Sequence, residues 1–375
     1  MDFGLPREIK DGEYRVALLP DGVSALCAAG HAVVVERGAG TAVGFADDAY
    51  RAAGARIAET PDPVWSCGVV VKVKELQPAE YSRLRAGATI CGFAQLGRDP
   101  ALLATVLAAN VRIVAFETIR DERGYAPMLA PMSRIAGRLA PFAGARALGV
   151  DCGGAGILLA GVDDVPGAKV VVLGAGSAGG EAARIAAALG CRVTLLSRGR
   201  ARLTSVSAAL ADAGFAVASR ALADVGDTGL AAALADADLV IGAVLDPGRL
   251  SPKLITRGHL RAMRAGSAFV DIGIDQGGIA ETSRMTSVSA PTFVDERIVH
   301  YAVPNMPALV ARTATLALAA AALPFIRRIA DLGIERALAA DGALAAGTMV
   351  WDGAITDARL AADAGHAPAV LPWRR

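Results

Sequence analysis

A glycine-rich turn between a short strand and a helix constrains the fold of this chain more than any other feature. Lys169-Val-Val-Val-Leu173 is a continuous apolar run, typical of a buried strand, and Gly174-Ala-Gly-Ser-Ala-Gly179 follows at once. Residues 181–189 then have the pattern of a helix. A strand, this spacing of glycines and a helix, in that order, predict a parallel α/β sheet whose first turn holds the pyrophosphate of a dinucleotide.

Each glycine of this turn has its own physical role. Gly174 permits the tight turn, Gly176 lets the backbone approach the pyrophosphate, and Gly179 lets the helix pack closely on the strand. The N–H groups and the dipole at the start of a helix favour an anion there, and Ser177 is placed to touch it. A glycine turn without a ligand is the alternative, and the strand–turn–helix context argues against it.

The end of the next strand selects the form of the cofactor. Residues 192–196 are predicted as that strand, and Ser197, Arg198 and Arg200 follow it. NAD enzymes usually carry Asp or Glu here, which binds the adenosine 2′-hydroxyl. Ser197 can instead hydrogen-bond a 2′-phosphate, and Arg198, with Arg200 nearby, can pair with it. The sequence therefore predicts preference for NADP(H) over NAD(H), with merely solvated arginines as the alternative.

Later apolar runs continue the same unit. Residues 238–244 and 267–272 are predicted as strands, each after a helical stretch, which is the order of a doubly wound nucleotide-binding sheet. Leu245 lies at the end of the first of these strands. Its backbone is therefore predicted to contact a cofactor ribose.

The first third of the chain has an α/β rhythm of its own, and the last part is helical. Strands are predicted at Phe3–Ile9, His31–Glu36, Val69–Val73 and Arg112–Phe116, and helices at Asp21–Ala29, Ala101–Ala109 and Leu309–Leu332. This order favours a discontinuous substrate domain, 1–130 plus 307–375, with a dinucleotide-binding Rossmann domain, 131–306, inserted in it. The predicted fold class is α/β, with two Rossmann-like doubly wound domains and a cleft between them.

Charge and hydropathy exclude several classes of partner. The formal net charge is +1, from 38 basic and 37 acidic residues, so nothing predicts a nucleic-acid surface or a polybasic membrane anchor. The most apolar late stretch, 314–323, is shorter than the roughly 20 residues that a bilayer span requires. It is predicted to be a core helix or, as the alternative, an oligomer interface.

The distribution of cysteine and histidine argues against metal and disulfide chemistry. The five cysteines and four histidines are dispersed, with no CxxC and no paired histidine spacing. No apolar signal segment is visible at the N-terminus. The expectation is a cytoplasmic protein with reduced thiols and no metal site.

With these features in hand, the chain resembles the alanine dehydrogenase and transhydrogenase alpha-chain family. The similarity spans nearly the whole length, and its last two motifs are closer to the dehydrogenase branch. The motifs, in chain order, are Gly4-Leu-Pro-Arg-Glu-Ile-Lys10, Glu13-Tyr-Arg-Val-Ala-Leu18, Glu36-Arg-Gly-Ala-Gly40, Val71-Lys-Val-Lys-Glu75, Pro131-Met-Ser-Arg-Ile-Ala-Gly137, Gly156-Ile-Leu-Leu-Ala-Gly161, Ile274-Asp-Gln-Gly-Gly-Ile279 and His300-Tyr-Ala-Val-Pro-Asn-Met-Pro307. The resemblance also implies the discontinuous layout and a homo-oligomer, either a dimer or a hexamer.

The resemblance implies roles for two basic residues. Arg15 matches the arginine that binds the substrate carboxylate, for which a guanidinium fork is suited. Lys74 matches the catalytic lysine that holds the substrate and donates a proton to it. Lys72 and Lys74 are two residues apart on one strand and therefore share a face. For Lys72 the sequence favours a solvated lysine at the strand end.

Further residues are implied near the substrate and the nicotinamide. Asp275 matches an aspartate beside both, Asn305 and Met306 match residues near the substrate and the cofactor ring, and Ser133 matches a position near the carboxamide. Asp271 is expected to be structural.

One departure from the family pattern concerns the catalytic chemistry. The dehydrogenases have histidine where this chain has Gln95, in Phe93-Ala-Gln-Leu-Gly97. Histidine exchanges protons near neutral pH, whereas a glutamine amide can orient a group but has no proton to transfer. Loss of the histidine should cost about 10²- to 10⁴-fold in rate where nothing replaces it.

Three functions follow from these residues. The first is reduction of a 2-oxo acid plus ammonia, or of their imine, to a 2-amino acid by hydride transfer from NADPH. The second is reduction of a preformed or cyclic imine in a specialised biosynthetic pathway, which needs fewer proton transfers. The third is an NADPH-binding or transhydrogenase-like subunit without turnover, which retention of Arg15, Lys74 and Asp275 disfavours.

Overall fold

The computed structural model of the protein describes residues 1–244 and 250–371. The chain divides into two compact units, with Met1–Met132 and the chain from Ala308 onward in unit 1 and Ser133–Pro307 in unit 2. Each unit is built on one sheet. The strands are β1 Asp2–Leu5, β2 Ala32–Glu36, β3 Arg56–Ala58, β4 Val69–Val71, β5 Thr89–Gly92, β6 Arg112–Ala115, β7 Lys169–Leu173, β8 Arg192–Ser197, β9 Val217–Ala221, β10 Leu239–Gly242, β11 Ala268–Asp271, β12 Thr292–Asp295, β13 Ile298–Tyr301, β14 Thr348–Trp351 and β15 Ala354–Ile355.

Helices separate most of the strands, as parallel connections require. They are α1 Pro20–Ala28, α2 Asp47–Ala52, α3 Asp62–Trp65, α4 Pro100–Ala108, α5 Leu129–Ala147, α6 Ser177–Ala188, α7 Arg200–Asp212, α8 Leu222–Ala235, α9 Arg257–Ala262, α10 Ala311–Leu332, α11 Ile334–Ala340, α12 Gly342–Gly347 and α13 Ala358–Asp363.

Both sheets have the strand order of a doubly wound fold. In unit 1 the order is β15-β14-β6-β5-β4-β1-β2-β3, and in unit 2 it is β12-β13-β11-β10-β7-β8-β9. The pairs from β6 to β3 and from β13 to β9 are parallel, and the antiparallel pairs β14 with β6, β14 with β15 and β12 with β13 lie toward one edge of each sheet. The predicted α/β class with two Rossmann-like sheets is confirmed.

The apolar run of β7 is explained by packing on both faces of the unit 2 sheet. Val170 and Val172 pack against the alanines of α6 on one face. Val171 and Leu173 pack against the leucines of α8 and α9 on the other. A strand covered on both faces needs no polar alternation, so this pattern favoured an inner parallel strand.

The first strand is shorter than the sequence predicted. It ends at Leu5, whereas the apolar pattern suggested a strand up to Ile9. Pro6 follows Leu5 and has no N–H to donate to a neighbouring strand, so the ladder stops there. The segment that carries Glu8 is therefore a loop beyond the carboxyl end of β1.

The long helix α10 packs one face into unit 1. Its buried residues recur at helical spacing, and the N–H of Val16 donates to Thr315 Oγ1 at 3.4 Å. Arg312 Nη1 donates to the carbonyl of Val43 at 2.6 Å. With the preceding turn the segment Met306–Leu332 is long and apolar enough to cross a membrane, and an 18-residue window within it has a mean hydropathy of 1.8. That is weak evidence, because core helices meet the same criteria.

Lys72 lies in a buried ion cluster and not in solvent. Its side chain is 1% exposed, and Nζ lies 2.7 and 3.0 Å from the carboxylate oxygens of Glu80 and 3.6 Å from Glu8 Oε2. Burial acts to lower the pKa of Lys72, but the carboxylates of Glu8 and Glu80 outweigh it and raise that pKa. The expectation of a solvated lysine was wrong, because the strand end is covered by the chain around Glu80.

We expect Lys72→Met to destabilise the protein by about 3–5 kcal/mol, because it leaves two buried carboxylates without their cation. Lys169→Met is the matched control, since Lys169 pairs with Asp236 at the surface and should lose less than ~1 kcal/mol. Free energies of unfolding in urea would measure both. Equal losses in the two variants would contradict the buried-cluster interpretation.

Candidate active site

Four polar residues lie just beyond the carboxyl ends of adjacent strands of unit 1, at the same edge of the sheet. The strands β6, β5, β4 and β1 are neighbours, and all are parallel. Each is followed within three residues by one of Glu8, Lys74, Gln95 and Glu117. The carboxyl ends of parallel strands lie at one edge, where open α/β sheets bind their ligands.

Glu8 fixes the backbone that carries Lys74. Its carboxylate accepts the N–H of Val73 at 2.5 Å and that of Lys74 at 3.4 Å. The side chain of Glu8 is 2% exposed. Burial raises the pKa of Glu8 to about 7, against the opposing effect of the Lys72 ammonium and the Val73 bond. This carboxylate was missed in the sequence, although it lies in a motif already singled out.

Lys74 is itself buried and lies beside a second carboxylate. Its Nζ is 3.5 Å from Glu75 Oε2, and Lys10 pairs with Glu75 Oε1. Burial acts to raise the pKa of Glu75, but the ammonium groups of Lys74 and Lys10 outweigh it and lower that pKa to about 2. Lys74 Nζ is therefore held beside a carboxylate that is ionised at neutral pH.

Gln95 is held by contacts to its backbone and its side chain. Its backbone is left-handed, with φ 49° and ψ 32°. Glu117 accepts the N–H of Gln95 at 2.6 Å and that of Ala94 at 3.1 Å. Arg98 Nη1 donates to Gln95 Oε1 at 2.6 Å. Burial raises the pKa of Glu117, with these hydrogen bonds and Lys74 opposing.

Arg15 is buried and already engages a carboxylate. Nε donates to Glu13 Oε1 at 2.7 Å and Nη2 to Glu13 Oε2 at 2.5 Å, while Nη1 lies 3.2 Å from Met132 Sδ. This forked geometry is the one by which a guanidinium recognises carboxylates. A substrate carboxylate would therefore share Arg15 with Glu13.

In unit 2 the three glycines of the turn after β7 meet three different constraints. Gly174 has φ +109°, and an added Cβ there would lie 2.6 Å from the carbonyl of Ala243. A Cβ on Gly179 would lie 1.7 Å from the carbonyl of Gly174. A Cβ on Gly176 would meet nothing within 4 Å. The open space at Gly176 beside a helix N-terminus without a side-chain cap fits a pyrophosphate.

The hydroxyl of Ser177 has a partner that the sequence did not indicate. Arg202 Nη2 lies 3.3 Å from Ser177 Oγ, and Arg202 Nε donates to the carbonyl of Ala175 at 3.2 Å. A guanidinium thus lies against the glycine turn. It adds positive charge where an anionic ligand is expected.

The residues after β8 differ in their surroundings. Ser197 is buried, whereas Arg198 and Arg200 are exposed. Arg200 pairs with Asp224 through both guanidinium Nη atoms. Arg198 makes no hydrogen bond or ion pair with any residue in 1–244 or 250–371. Of the two arginines, Arg198 is the one whose charge is not already matched by a described carboxylate.

The loop after β11 is organised by Asp271 and carries Asp275. The buried carboxylate of Asp271 accepts N–H groups from Gly273 at 3.1 Å and Ile279 at 2.9 Å, and the hydroxyl of Ser283 at 2.6 Å. Burial raises the pKa of Asp271 despite these bonds. Its anchoring contacts are those of a structural aspartate.

Asp275 and Asn305 come together at this edge of the unit 2 sheet. Asp275 Oδ2 accepts the N–H of Asn305 at 2.8 Å, and Asn305 has φ 56°. Met306 follows and is buried, while Ser133 is half-buried on α5. Leu245 lies outside the described residues. Within 1–244 and 250–371, no group of three or more His, Cys, Asp or Glu side chains is placed to hold a metal ion.

We expect Gly176→Ala to keep the fold but to weaken dinucleotide binding about tenfold or more, because the methyl group occupies the space needed by the pyrophosphate. Gly179→Ala should instead destabilise unit 2 by about 1–3 kcal/mol, since its Cβ overlaps the carbonyl of Gly174. Thermal unfolding and cofactor fluorescence titration separate the two effects. Unchanged affinity in the Gly176 variant would contradict the assignment of the turn.

Comparison with known proteins places this geometry in a family. The model of the alanine dehydrogenase/PNT N-terminal domain matches residues 4–136, and that of the alanine dehydrogenase/PNT C-terminal domain matches residues 140–358. An alanine dehydrogenase of Halomonas elongata is 44% identical over 95% of this chain and 95% of its own length. One of Bacillus subtilis is 42% identical over 98% and 95%.

Solved structures agree with the sequence matches. An L-alanine dehydrogenase superposes with a TM-score of 0.89 and 39% identity, covering 97% of this chain and 99% of the other. A transhydrogenase from Sinorhizobium meliloti gives a TM-score of 0.81 at 25% identity, covering 95% and 100%. Both predicted branches of the family are therefore represented, and the dehydrogenase is the more similar of these two. The chain belongs to the alanine dehydrogenase/PNT family and is a nicotinamide-dependent oxidoreductase that acts on a CH–NH2 group.

Proposed function

We propose that this enzyme uses NADPH to reduce a 2-oxo acid and ammonia, through their imine, to a 2-amino acid. The observation that carries the proposal is Lys74, a buried ammonium at the carboxyl edge of the unit 1 sheet whose backbone is fixed by Glu8. A lysine so placed can hold a carbonyl oxygen and donate a proton to it. The names of the relatives support the substrate class.

In this proposal each unit has its own task. Unit 2 holds the dinucleotide through Gly174, Gly176, Gly179 and Ser177, and the bound nicotinamide supplies the hydride. Asp275, fixed by the N–H of Asn305, orients the groups near the reacting carbon. Unit 1 binds the substrate.

The residues of unit 1 have separate roles toward the substrate. Arg15 orients the substrate carboxylate, and its guanidinium serves both that carboxylate and Glu13. Lys74 donates a proton to the carbonyl oxygen, which leaves as water once ammonia has added. A second proton is needed when hydride transfer converts the imine to the amine. Glu75 positions Lys74 Nζ through the ion pair between them.

Preference for NADP(H) is the second part of the proposal. The residues directly after β8 do not include the Asp or Glu that NAD enzymes usually carry there, so the usual source of repulsion for a 2′-phosphate is absent. Ser197 offers a hydroxyl, and the exposed Arg198 offers a guanidinium without a described carboxylate partner. Arg200 contributes less, since Asp224 already balances its charge.

Gln95 favours a second candidate, reduction of a preformed or cyclic imine. Its amide is tied to Arg98 and cannot pass a proton. Formation of an imine from ammonia requires several proton transfers, whereas reduction of a finished imine requires one. A substrate that arrives as an imine would make the missing histidine unimportant.

The two candidates differ in their need for ammonia. We expect loss of NADPH absorbance with pyruvate or another 2-oxo acid to require ammonium, because ammonia provides the nitrogen. The same panel without ammonium is the control. Turnover of a cyclic imine such as 1-pyrroline-2-carboxylate, with no ammonium-dependent turnover of any oxo acid, would replace the first candidate by the second.

Cofactor preference can be tested separately by titration. NADPH should bind about tenfold or more tightly than NADH, equivalent to ~1.4 kcal/mol or more. Arg198→Ala should remove much of this difference, because it removes the unmatched guanidinium, whereas the matched variant Arg200→Ala should change it less. Equal affinities of the wild-type enzyme for the two cofactors would refute the assignment.

A further inference from the structure

The position of Gln95 is maintained at an energetic cost. Gln95 is a non-glycine residue in the left-handed region, with φ 49°, and residues strained in this way cluster at functional sites. Glu117 offsets this cost, because its carboxylate accepts the backbone N–H groups of Ala94 and Gln95. The root of the Gln95 side chain is therefore fixed by a carboxylate that follows the neighbouring strand β6.

The orientation of the Gln95 amide follows from the chemistry of its partner. Arg98 Nη1 lies 2.6 Å from the terminal atom assigned as Gln95 Oε1. A guanidinium only donates hydrogen bonds, so the atom that faces it must be the amide oxygen. The backbone N–H of Arg98 also donates to the carbonyl of Gln95 at 3.1 Å, which closes the turn. The NH2 group is thereby the end of the amide that remains available to a ligand.

Gln95 and Lys74 also lie on neighbouring segments of chain. The N–H of Phe93 donates to the carbonyl of Val73 at 3.0 Å, so the two chains stay paired beyond the ends of β5 and β4. Lys74 follows this bond by one residue and Gln95 by two. Both residues also neighbour Glu117: burial raises the pKa of its carboxyl group, and the N–H of Gln95 and the charge of Lys74 oppose that rise.

We propose that Arg98 is a positioning residue that fixes the Gln95 amide with its NH2 group directed to an acceptor oxygen of a 2-oxo acid. The proposal rests on the proposed function for the identity of the substrate, but the fixed amide does not depend on it. Where a titrating residue would exchange a proton, this site then presents a hydrogen-bond donor that keeps its form across the physiological pH range. Arg98 touches no reacting atom and acts through Gln95.

The sequence makes this arrangement accessible to spectroscopy. The chain contains three glutamines, Gln77, Gln95 and Gln276, so side-chain ¹⁵N-glutamine labelling gives three NH2 groups to assign. A Gln95→Met sample identifies the relevant signal by its loss. We expect the Gln95 NH2 signal to move in Arg98→Met, where the donor is gone, and to return toward the wild-type position in Arg98→Lys, where an ammonium can still donate to Oε1.

The ligand part of the proposal uses pyruvate with NADP⁺, a pair that cannot turn over in the absence of ammonia. Addition of both should move the Gln95 signal in the wild type, and the Kd of pyruvate should rise about 3- to 10-fold in Arg98→Met, with recovery in Arg98→Lys. Circular dichroism of each variant confirms that it is folded.

The outcomes separate the two proposals. An unchanged Gln95 signal in folded Arg98→Met would overturn the positioning role whatever the enzyme reduces. A signal that moves in Arg98→Met but not on addition of pyruvate and NADP⁺ would overturn the role of the amide toward a 2-oxo acid. Failure of the ammonium-dependent assay, with both NMR responses present, would contradict the proposed reaction and leave Arg98 in its role.

Discussion

Within each unit, buried carboxylates that accept backbone N–H groups at the ends of parallel strands fix the segments that carry the candidate site residues. Glu8 binds the turn that carries Lys74, Glu117 binds the turn that carries Gln95, and Asp271 binds the loop that carries Asp275. Backbone groups that leave a sheet lose their ladder partners, and a buried group without a partner is costly. A carboxylate accepts two or more such groups at once, so it can replace the missing strand without using the neighbouring side chain.

This arrangement has an electrostatic cost. Burial raises the pKa of Glu8, Glu117 and Asp271. Glu8 keeps its proton up to about pH 7 in the folded protein, whereas in the unfolded chain it loses the proton near its ordinary pKa. The contribution of Glu8 to the free energy of unfolding therefore falls as the pH rises between these two pKa values. Lys72 limits this cost by placing an ammonium near Glu8 and Glu80. Lys72, which the sequence predicted to be solvated, is therefore part of the support for Lys74.

The sequence predicted those features that depend on local pattern. The bounds of β7 agree with the apolar run, and the roles given to Gly174 and Gly179 agree with the close approaches at each, because turn geometry is encoded within a few residues. Contacts between distant strand ends were not predictable in this way. Glu117 and Glu8 reach their partners across 22 and 65 residues of chain, and only the strand order brings them there. Neighbouring strand ends in a 3-2-1-4-5-6 order would have been the signal to look for.

The left-handed backbone of Gln95 also limits what evolution can place there. β-Branched and bulky residues are disfavoured in that conformation, whereas asparagine, aspartate and histidine are enriched in it. The turn therefore tolerates histidine as well as glutamine. A single substitution between these two residue types therefore adds or removes a titrating group at this position without requiring a different turn. Such a substitution also changes the role of Arg98, because its guanidinium has an amide oxygen to bind only when glutamine is present.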